Sequence, residues 1–151
     1  MPTVNFRLHT DLSPDAVLAA LTDFSDNRAR VWPNIDAAHY RLHAKGDGWA
    51  DVTEGNSLAG GIWERNRCDW DAAAWRLTIK TLESNTWAPG SRWIYQLQPA
   101  AAGGTDVEVK VVRNGQGLKG MLVGIAIALF GARMLRSDME KVLARVAYPP
   151  P

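Results

Sequence analysis

Hydrophobic and polar positions alternate along most of the chain before residue 114, and this pattern predicts strands. Six consecutive runs are separated by segments rich in Gly, Asn, Asp and Pro, most of them short enough for hairpin turns. An earlier run near the N-terminus alternates in the same way. The seven predicted strands are TVNFRLHT, AHYRLHA, GWADVTE, GIWERNRCDW, AWRLTIKTL, SRWIYQLQP and TDVEVKVVR.

Helical patterns lie between the first two strands and at the end of the chain. SPDAVLAALTDF predicts a helix with Ser13 as its N-cap and Pro14 at its first position. SDNRARVWP predicts a second, short helix that ends before Pro33. A long amphipathic helix follows the last strand, so the predicted order of elements is β-α-α-β6-α.

Six consecutive strands form an antiparallel meander, and the first strand can add to its edge, which makes the predicted class α+β. At about 100° per residue, one face of the long helix gathers apolar side chains that we expect to face the sheet. These are Met121, Ile125, Ala128, Ala132, Leu135, Met139, Val142 and Val146. The first half of the helix carries a second apolar stripe, which we expect to face outward: Val123, Ile127, Phe130 and Met134.

Composition narrows the class of protein. Hydrophobic residues make up 46% of the 151 residues and charged residues 22%, so residues 1–151 are predicted to form one soluble domain. The net charge of +1 does not supply the basic surface that nucleic-acid binding requires. A single cysteine, Cys68, and the lack of an apolar leader at the N-terminus favour the cytoplasm.

Two special functions for the stretch that opens the last helix are rejected. The uncharged run from Gly120 to Ala132 would span only ~20 Å as a helix, short of the ~30 Å hydrocarbon core, so no membrane span is predicted. GQGLKG matches the G-x-G-x-x-G pattern of dinucleotide sites. The strand before it alternates apolar and charged residues, whereas a dinucleotide site follows a buried parallel strand. We interpret the glycines as a flexible joint, and no cofactor is predicted.

Four features of the chain resemble the START-like, Bet v 1-like (SRPBCC) superfamily. They are the order of elements, the DF after the first helix, the WPNI after the second, and the glycine-rich joint before a long amphipathic helix. The polyketide cyclase/dehydrase and lipid-transport branch is the most similar. The resemblance implies a helix-grip fold, in which a curved seven-stranded antiparallel sheet wraps around the C-terminal helix. It also implies a hydrophobic cavity between the sheet and that helix.

Strand alternation and the predicted helix face supply candidates for such a cavity. Most are apolar or aromatic, and for any single one a plain core position is about as good an interpretation. The predicted ligand-binding residues are Tyr40, Glu64, Asn66, Trp75, Leu77, Ile79, Trp93, Tyr95, Leu97, Met121, Ile125 and Leu129.

Glu64 and Asn66 are the polar candidates. We place them on the inward face of their strand because that face carries less charge than the other. Glu64 could then anchor a polar group of the ligand or act as a general acid or base, and a carboxylate buried there would need a partner. A bulge or the opposite register would instead put both side chains in solvent.

No metal site is predicted, because His39 and His43 would share a strand face with Arg41 but have no third ligand. The leading hypothesis is a carrier or sensor of a lipid, polyketide or isoprenoid-like compound, with no covalent chemistry. A cyclase/dehydratase-like enzyme and a protein-interaction module are the alternatives. The outward helix stripe favours a homodimer contact or cover from loops, and a transient contact with a membrane surface ranks third.

Overall fold

Strands and helices follow the predicted order in the computed structural model, which describes residues 2–149 and 151. Two short 3₁₀ helices, at Ala37–His39 and Leu58–Gly60, are added in the connections. The elements are β1 Thr3–Thr10, α1 Pro14–Leu21, α2 Arg28–Val31, β2 Arg41–Gly46, β3 Trp49–Asn56, β4 Ile62–Asp71, β5 Arg76–Ser84, β6 Arg92–Pro99, β7 Thr105–Val112 and α3 Gly117–Ala147.

The strands form one sheet in the order β1-β7-β6-β5-β4-β3-β2, and every neighbouring pair is antiparallel. Side chains in register form apolar rows across the inner face. Phe6 lies opposite Val109, which lies opposite Tyr95, and all three are buried. The predicted α+β class and antiparallel sheet are confirmed.

The inner face of the sheet is covered by α1 and by the second half of α3. Ser13 caps α1 as predicted, since its hydroxyl accepts a hydrogen bond from the Ala16 amide at 3.2 Å. From the second half of α3, Met139, Val142 and Leu143 are buried. These contacts make the predicted helix-grip arrangement at this end of the molecule.

The first half of α3 is rotated from the predicted orientation. Met121 and Ile125, expected to face the sheet, are 58% and 54% exposed, and Leu129 is 70% exposed. Val123 and Ile127, expected to face outward, are half-buried. The predicted orientation was therefore wrong for these residues, whereas Phe130 and Met134 are exposed as predicted.

Glycines explain the rotation. Gly120, Gly124 and Gly131 are the buried positions in this half of α3, and a hydrophobic wheel assigns them no weight because they have no side chain. At Gly120 an added Cβ would lie 2.3 Å from the Thr86 carbonyl oxygen, so the helix approaches the β5–β6 loop backbone more closely than any other residue would allow. The predicted flexible joint is thus a tight packing contact.

Two strand starts also differ from the prediction. β2 begins at Arg41, so Tyr40 precedes it and His39 belongs to a 3₁₀ helix; the shared face of His39, Arg41 and His43 was wrong. β5 begins at Arg76, which leaves Trp75 in the preceding turn with φ of 48°. The Trp75 indole donates a hydrogen bond to Asp15 at 2.8 Å.

By length and composition alone, α3 meets the requirement for a membrane-spanning helix, with a mean hydropathy of 1.7 over 18 residues. Its second half is nevertheless packed on the sheet through Met139 and Leu143. The first half is instead an apolar surface: besides Met121, Ile125 and Leu129, the large side chains at least 49% exposed there are Leu118, Leu122, Phe130 and Met134.

Candidate ligand-binding site

A cavity of about 40 Å³ lies against the inner face of the sheet, between α2 with the chain that follows it and strands β3 to β6. Larger hollows of about 460 to 730 Å³ open on the exterior. Of these five hollows, this cavity alone combines aromatic walls with buried polar side chains. It is lined by Arg28, Trp32, Asn34, Ile35, Glu54, Glu64, Asn66, Ile79, Trp93 and Tyr95.

Glu64 is held at the cavity by Arg113, the residue that follows β7. Two guanidinium nitrogens of Arg113 donate to the two carboxylate oxygens of Glu64 at 2.9 and 3.0 Å, and the Thr81 hydroxyl donates at 3.0 Å. The guanidinium carbon lies 4.8 Å and 5.0 Å from the ring centres of Trp87 and Trp93, within cation–π range.

The pKa of Glu64 is lowered from its ordinary value. Burial raises the pKa of this carboxyl, but the Arg113 charge and hydrogen bonds from Arg113, Thr81 and Asn66 outweigh that effect. Glu64 is therefore ionised at neutral pH, and its oxygens already accept hydrogen bonds. Such a carboxylate is suited to orient other groups and is a weak acid or base for proton transfer.

A second buried pair joins α2 to β3. The Arg28 Nε donates to Glu54, and one of its terminal nitrogens donates to the Leu21 carbonyl oxygen at 3.1 Å. Arg28 is 3% exposed and its guanidinium carbon lies 4.5 Å from the Phe24 ring centre. Burial lowers the pKa of Arg28, but the Glu54 charge outweighs it and leaves the pKa raised.

Two tyrosines stand beside these pairs. The Tyr40 hydroxyl donates to the Phe24 carbonyl oxygen at 2.6 Å, and burial raises the pKa of Tyr40 to about 12. Burial raises the pKa of Tyr95 as well. Both phenols therefore keep their protons at neutral pH and can donate hydrogen bonds, as Tyr40 does.

Three buried polar atoms have no hydrogen-bond partner among the described residues: Asn34 Oδ1, Asn66 Oδ1 and Arg113 Nε. The two asparagines line the cavity. Because a buried polar atom without a partner costs roughly 1–3 kcal/mol, few such atoms occur in natural proteins. Their concentration at one cavity marks it as the candidate site.

The predicted site residues separate into two groups. The structure brings five of them together at the cavity: Glu64, Asn66, Ile79, Trp93 and Tyr95. The inward placement of Glu64 and Asn66 is thereby confirmed, and a bulge between Arg65 and Asn66 does not turn them outward. The other predicted residues do not line this cavity.

The second group has other surroundings. Leu77 and Leu97 are 1% exposed and belong to the core. Tyr40 and Trp75 are partly buried against the core. The placement of Met121, Ile125 and Leu129 in a cavity under the helix was wrong, since all three are exposed on the surface of α3.

Sequence reasoning missed Glu54 and Arg113, although alternation contains the signal for both. Glu54 continues the inward positions of Ala50 and Val52, and Arg113 continues those of Val109 and Val111. Charged residues at inward strand positions indicate buried pairs. The aromatic and amide residues after α2 have no such signal, because they come from an irregular connection.

Neither a known family profile nor a curated protein matches the sequence. Solved structures do match. TTHA0849 from Thermus thermophilus has a TM-score of 0.80 at 13% identity, over 97% of both chains. The Zhui aromatase/cyclase from Streptomyces sp. R1128 has a TM-score of 0.78 at 17% identity, over 96% of this chain and 93% of that one.

A START superfamily protein from Mycobacterium smegmatis matches with a TM-score of 0.75 at 13% identity, over 96% of this chain and 97% of that one. Identities this low establish the fold alone. The chain therefore has the START-like, helix-grip fold of these structures, as its sequence pattern predicts.

Proposed function

We propose that the protein binds a small, largely apolar molecule at this cavity and acts as a carrier or sensor of a lipid, polyketide or isoprenoid-like compound. The observation that supports this most is a buried cavity that joins aromatic walls to unpartnered polar atoms. Apolar walls with a few fixed polar groups are the usual composition of a small-molecule site. Burial of apolar ligand area, at about 25 cal/mol per Å², would drive binding.

The cavity must widen to admit such a molecule. Its volume of about 40 Å³ accommodates a polar head group, whereas sites for drug-sized ligands measure about 300–1,000 Å³. Trp32 and Trp93 line it and are half-buried, so each ring has a route toward solvent. We propose that these two rings turn outward and enclose the apolar body of the ligand.

Native mass spectrometry of the purified protein tests the proposal directly. We expect a co-purified apolar compound, and its mass would narrow the ligand class. Neutral N-phenyl-1-naphthylamine, which fluoresces in apolar surroundings, provides a second test by titration. A protein with no bound compound that also leaves this probe dark would contradict the proposal.

Ile79→Phe locates the bound probe. Ile79 lines the cavity, and a phenyl ring there would fill it. Ile94 lies on the neighbouring strand with its side chain on the opposite face of the sheet, so Ile94→Phe is the matched control. We expect Ile79→Phe to weaken probe binding about tenfold or more, equivalent to ~1.4 kcal/mol, and Ile94→Phe to leave it unchanged. Equal affinities in the two variants would place the probe elsewhere.

A cyclase/dehydratase-like enzyme is the second candidate, supported by the likeness in fold to the Zhui aromatase/cyclase and by the carboxylate of Glu64 at the cavity. The ionised, fully paired state of Glu64 favours the carrier. Glu64→Gln separates the two functions: a carrier retains its affinity, whereas an enzyme that uses Glu64 for proton transfer loses turnover and still binds.

A further inference from the structure

The polar end of the cavity presents hydrogen-bond acceptors. Asn66 Oδ1 and Asn34 Oδ1 are buried, line the same cavity and have no partner among the described residues. Asn66 is 2% exposed, so bulk water does not satisfy its oxygen. An amide oxygen accepts hydrogen bonds and cannot donate them. A group that satisfies both oxygens must therefore be a donor.

Glu64 and Asn66 lie two residues apart in β4 and line the same cavity. The carboxylate is ionised and paired with Arg113, so it can only accept hydrogen bonds. Asn66 donates to it and thereby helps to lower the pKa of Glu64. Asn66 Oδ1 is the buried amide atom without a partner among the described residues, so it is the atom left for another group.

The charges at the cavity are already balanced. Arg28 is paired with Glu54, and Arg113 is paired with Glu64. Two buried arginines would ordinarily indicate a site for an acidic ligand. Here a carboxylate or phosphate would meet two glutamates and two amide oxygens, and it would have to displace a glutamate to reach a guanidinium. An anion is therefore disfavoured.

We infer that the bound molecule carries a neutral hydrogen-bond donor, in the simplest case a hydroxyl group, whose single hydrogen bond is accepted by Asn66 Oδ1 or Asn34 Oδ1 at the polar end of the cavity. The ligand class is then a phenol or alcohol with an apolar body, and not a free fatty acid or another organic acid. This inference rests on the proposed function, since it specifies the head group of the molecule bound there.

Three naphthalene probes of similar shape test the inference by isothermal titration calorimetry at neutral pH. 2-Naphthol has a donor, 2-methoxynaphthalene lacks it, and 2-naphthoate carries a negative charge. We expect 2-naphthol to bind about tenfold more tightly than 2-methoxynaphthalene, the value of one well-made hydrogen bond, and 2-naphthoate to bind most weakly.

Substitutions of the two asparagines test whether they cause the preference for 2-naphthol. Asn66→Leu removes the acceptor with little change in volume, and we expect it to abolish the preference for 2-naphthol over 2-methoxynaphthalene. Asn34→Leu is the second variant, in case the loss of the Asn66 contact with Glu64 prevents folding. Asn5→Leu, at an exposed position of β1, is the matched control and should retain the preference. Thermal unfolding of each variant verifies that it is folded.

The outcomes distinguish the inference from the function on which it rests. Equal binding of 2-naphthol and 2-methoxynaphthalene would overturn the inference and leave the proposed function standing, with water alone on the asparagines. Tighter binding of 2-naphthoate would overturn it in favour of an acidic ligand. A preference that survives both asparagine variants would refute the assignment to these residues. If none of the three probes binds, the proposed function fails and the inference fails with it.

Discussion

Two buried arginine–glutamate pairs meet at the cavity, and they differ in how completely their hydrogen bonds are satisfied. Arg28 donates to Glu54 and to the Leu21 carbonyl oxygen at the end of α1. Arg113 donates only to Glu64 among the described residues, and its Nε has no partner. Both guanidinium groups lie against aromatic rings.

The difference indicates separate roles. The Arg28 pair joins the helical segment to the sheet, and no fully buried nitrogen of Arg28 lacks a partner among the described residues, which is the arrangement of a structural contact. The Arg113 pair keeps an unused donor, and the oxygen of Asn66, two residues from Glu64, is also unused. Unused hydrogen-bonding capacity in a buried site is costly for stability and useful for binding. We therefore expect changes at Arg28 to affect stability most, and changes at Glu64 to affect it less.

Arg28→Ala has the largest expected effect. The substitution leaves Glu54 buried without its counter-charge, and removal of one partner of a buried pair costs about 3–5 kcal/mol in the free energy of unfolding. Denaturation in urea measures it. Arg7→Ala is the control, because Arg7 forms an exposed pair with Glu108, and a change below about 0.5 kcal/mol is expected there. Similar losses in both variants would refute the structural role of Arg28.

Glu64→Gln should destabilise the protein less, by about 1–3 kcal/mol. The amide oxygen of Gln still accepts from Arg113, but the negative charge that balances this buried guanidinium is lost. The same urea experiment measures the change, and the affinity for 2-naphthol in this variant should stay within about threefold of the unmodified protein. A loss as large as that of Arg28→Ala would show that the two pairs do not differ in role.

The dependence of stability on pH gives a third comparison. Because the folded-state pKa of Glu64 lies below its ordinary value of 4.5, its contribution to stability is complete above that pH and is lost as the pH falls through the folded pKa. We expect the free energy of unfolding to fall below pH 4.5 and to fall less steeply in Glu64→Gln. Parallel pH profiles for the two proteins would contradict the pairing of Glu64 with Arg113.

Phe130→Asp has the smallest expected effect on the free energy of unfolding. It gives a reference against which the losses at the two arginine–glutamate pairs can be compared. Phe130 is 71% exposed, so the free energy of unfolding should change by no more than about 0.5 kcal/mol. Analytical ultracentrifugation of the same variant examines the predicted dimer through Val123, Ile127, Phe130 and Met134, which stays a prediction. A substantial loss of stability that grows with protein concentration would show that a second copy covers this side chain.

Strand alternation predicted much of the sheet and part of the site. Asn66 and Glu64 lie inward because their strand alternates, and the structure confirms that placement. Glu54 and Arg113 obey the same rule and could have been found by extending it past the last apolar residue of each strand. Period-two alternation is reliable here because adjacent strands impose the same register on each other.

The orientation of α3 could not be read in this way. Its first half is apolar on several sides, so side-chain hydrophobicity alone does not select the buried face. The glycines select it, because the lack of a Cβ allows Gly120 to approach the Thr86 carbonyl oxygen. Whether a glycine allows a close contact depends on which backbone segment lies opposite it, and only the folded structure shows that segment.

The sequence by itself determined the order of elements, the antiparallel sheet and the inward face of most strands, because local periodicity and turn composition govern these features. Only the tertiary structure decided which charges pair, which amide oxygens remain without partners and which face of α3 is buried. Those features depend on groups far apart in the chain, such as Arg113 and Glu64, whose contact exists only when the sheet has curved around its core.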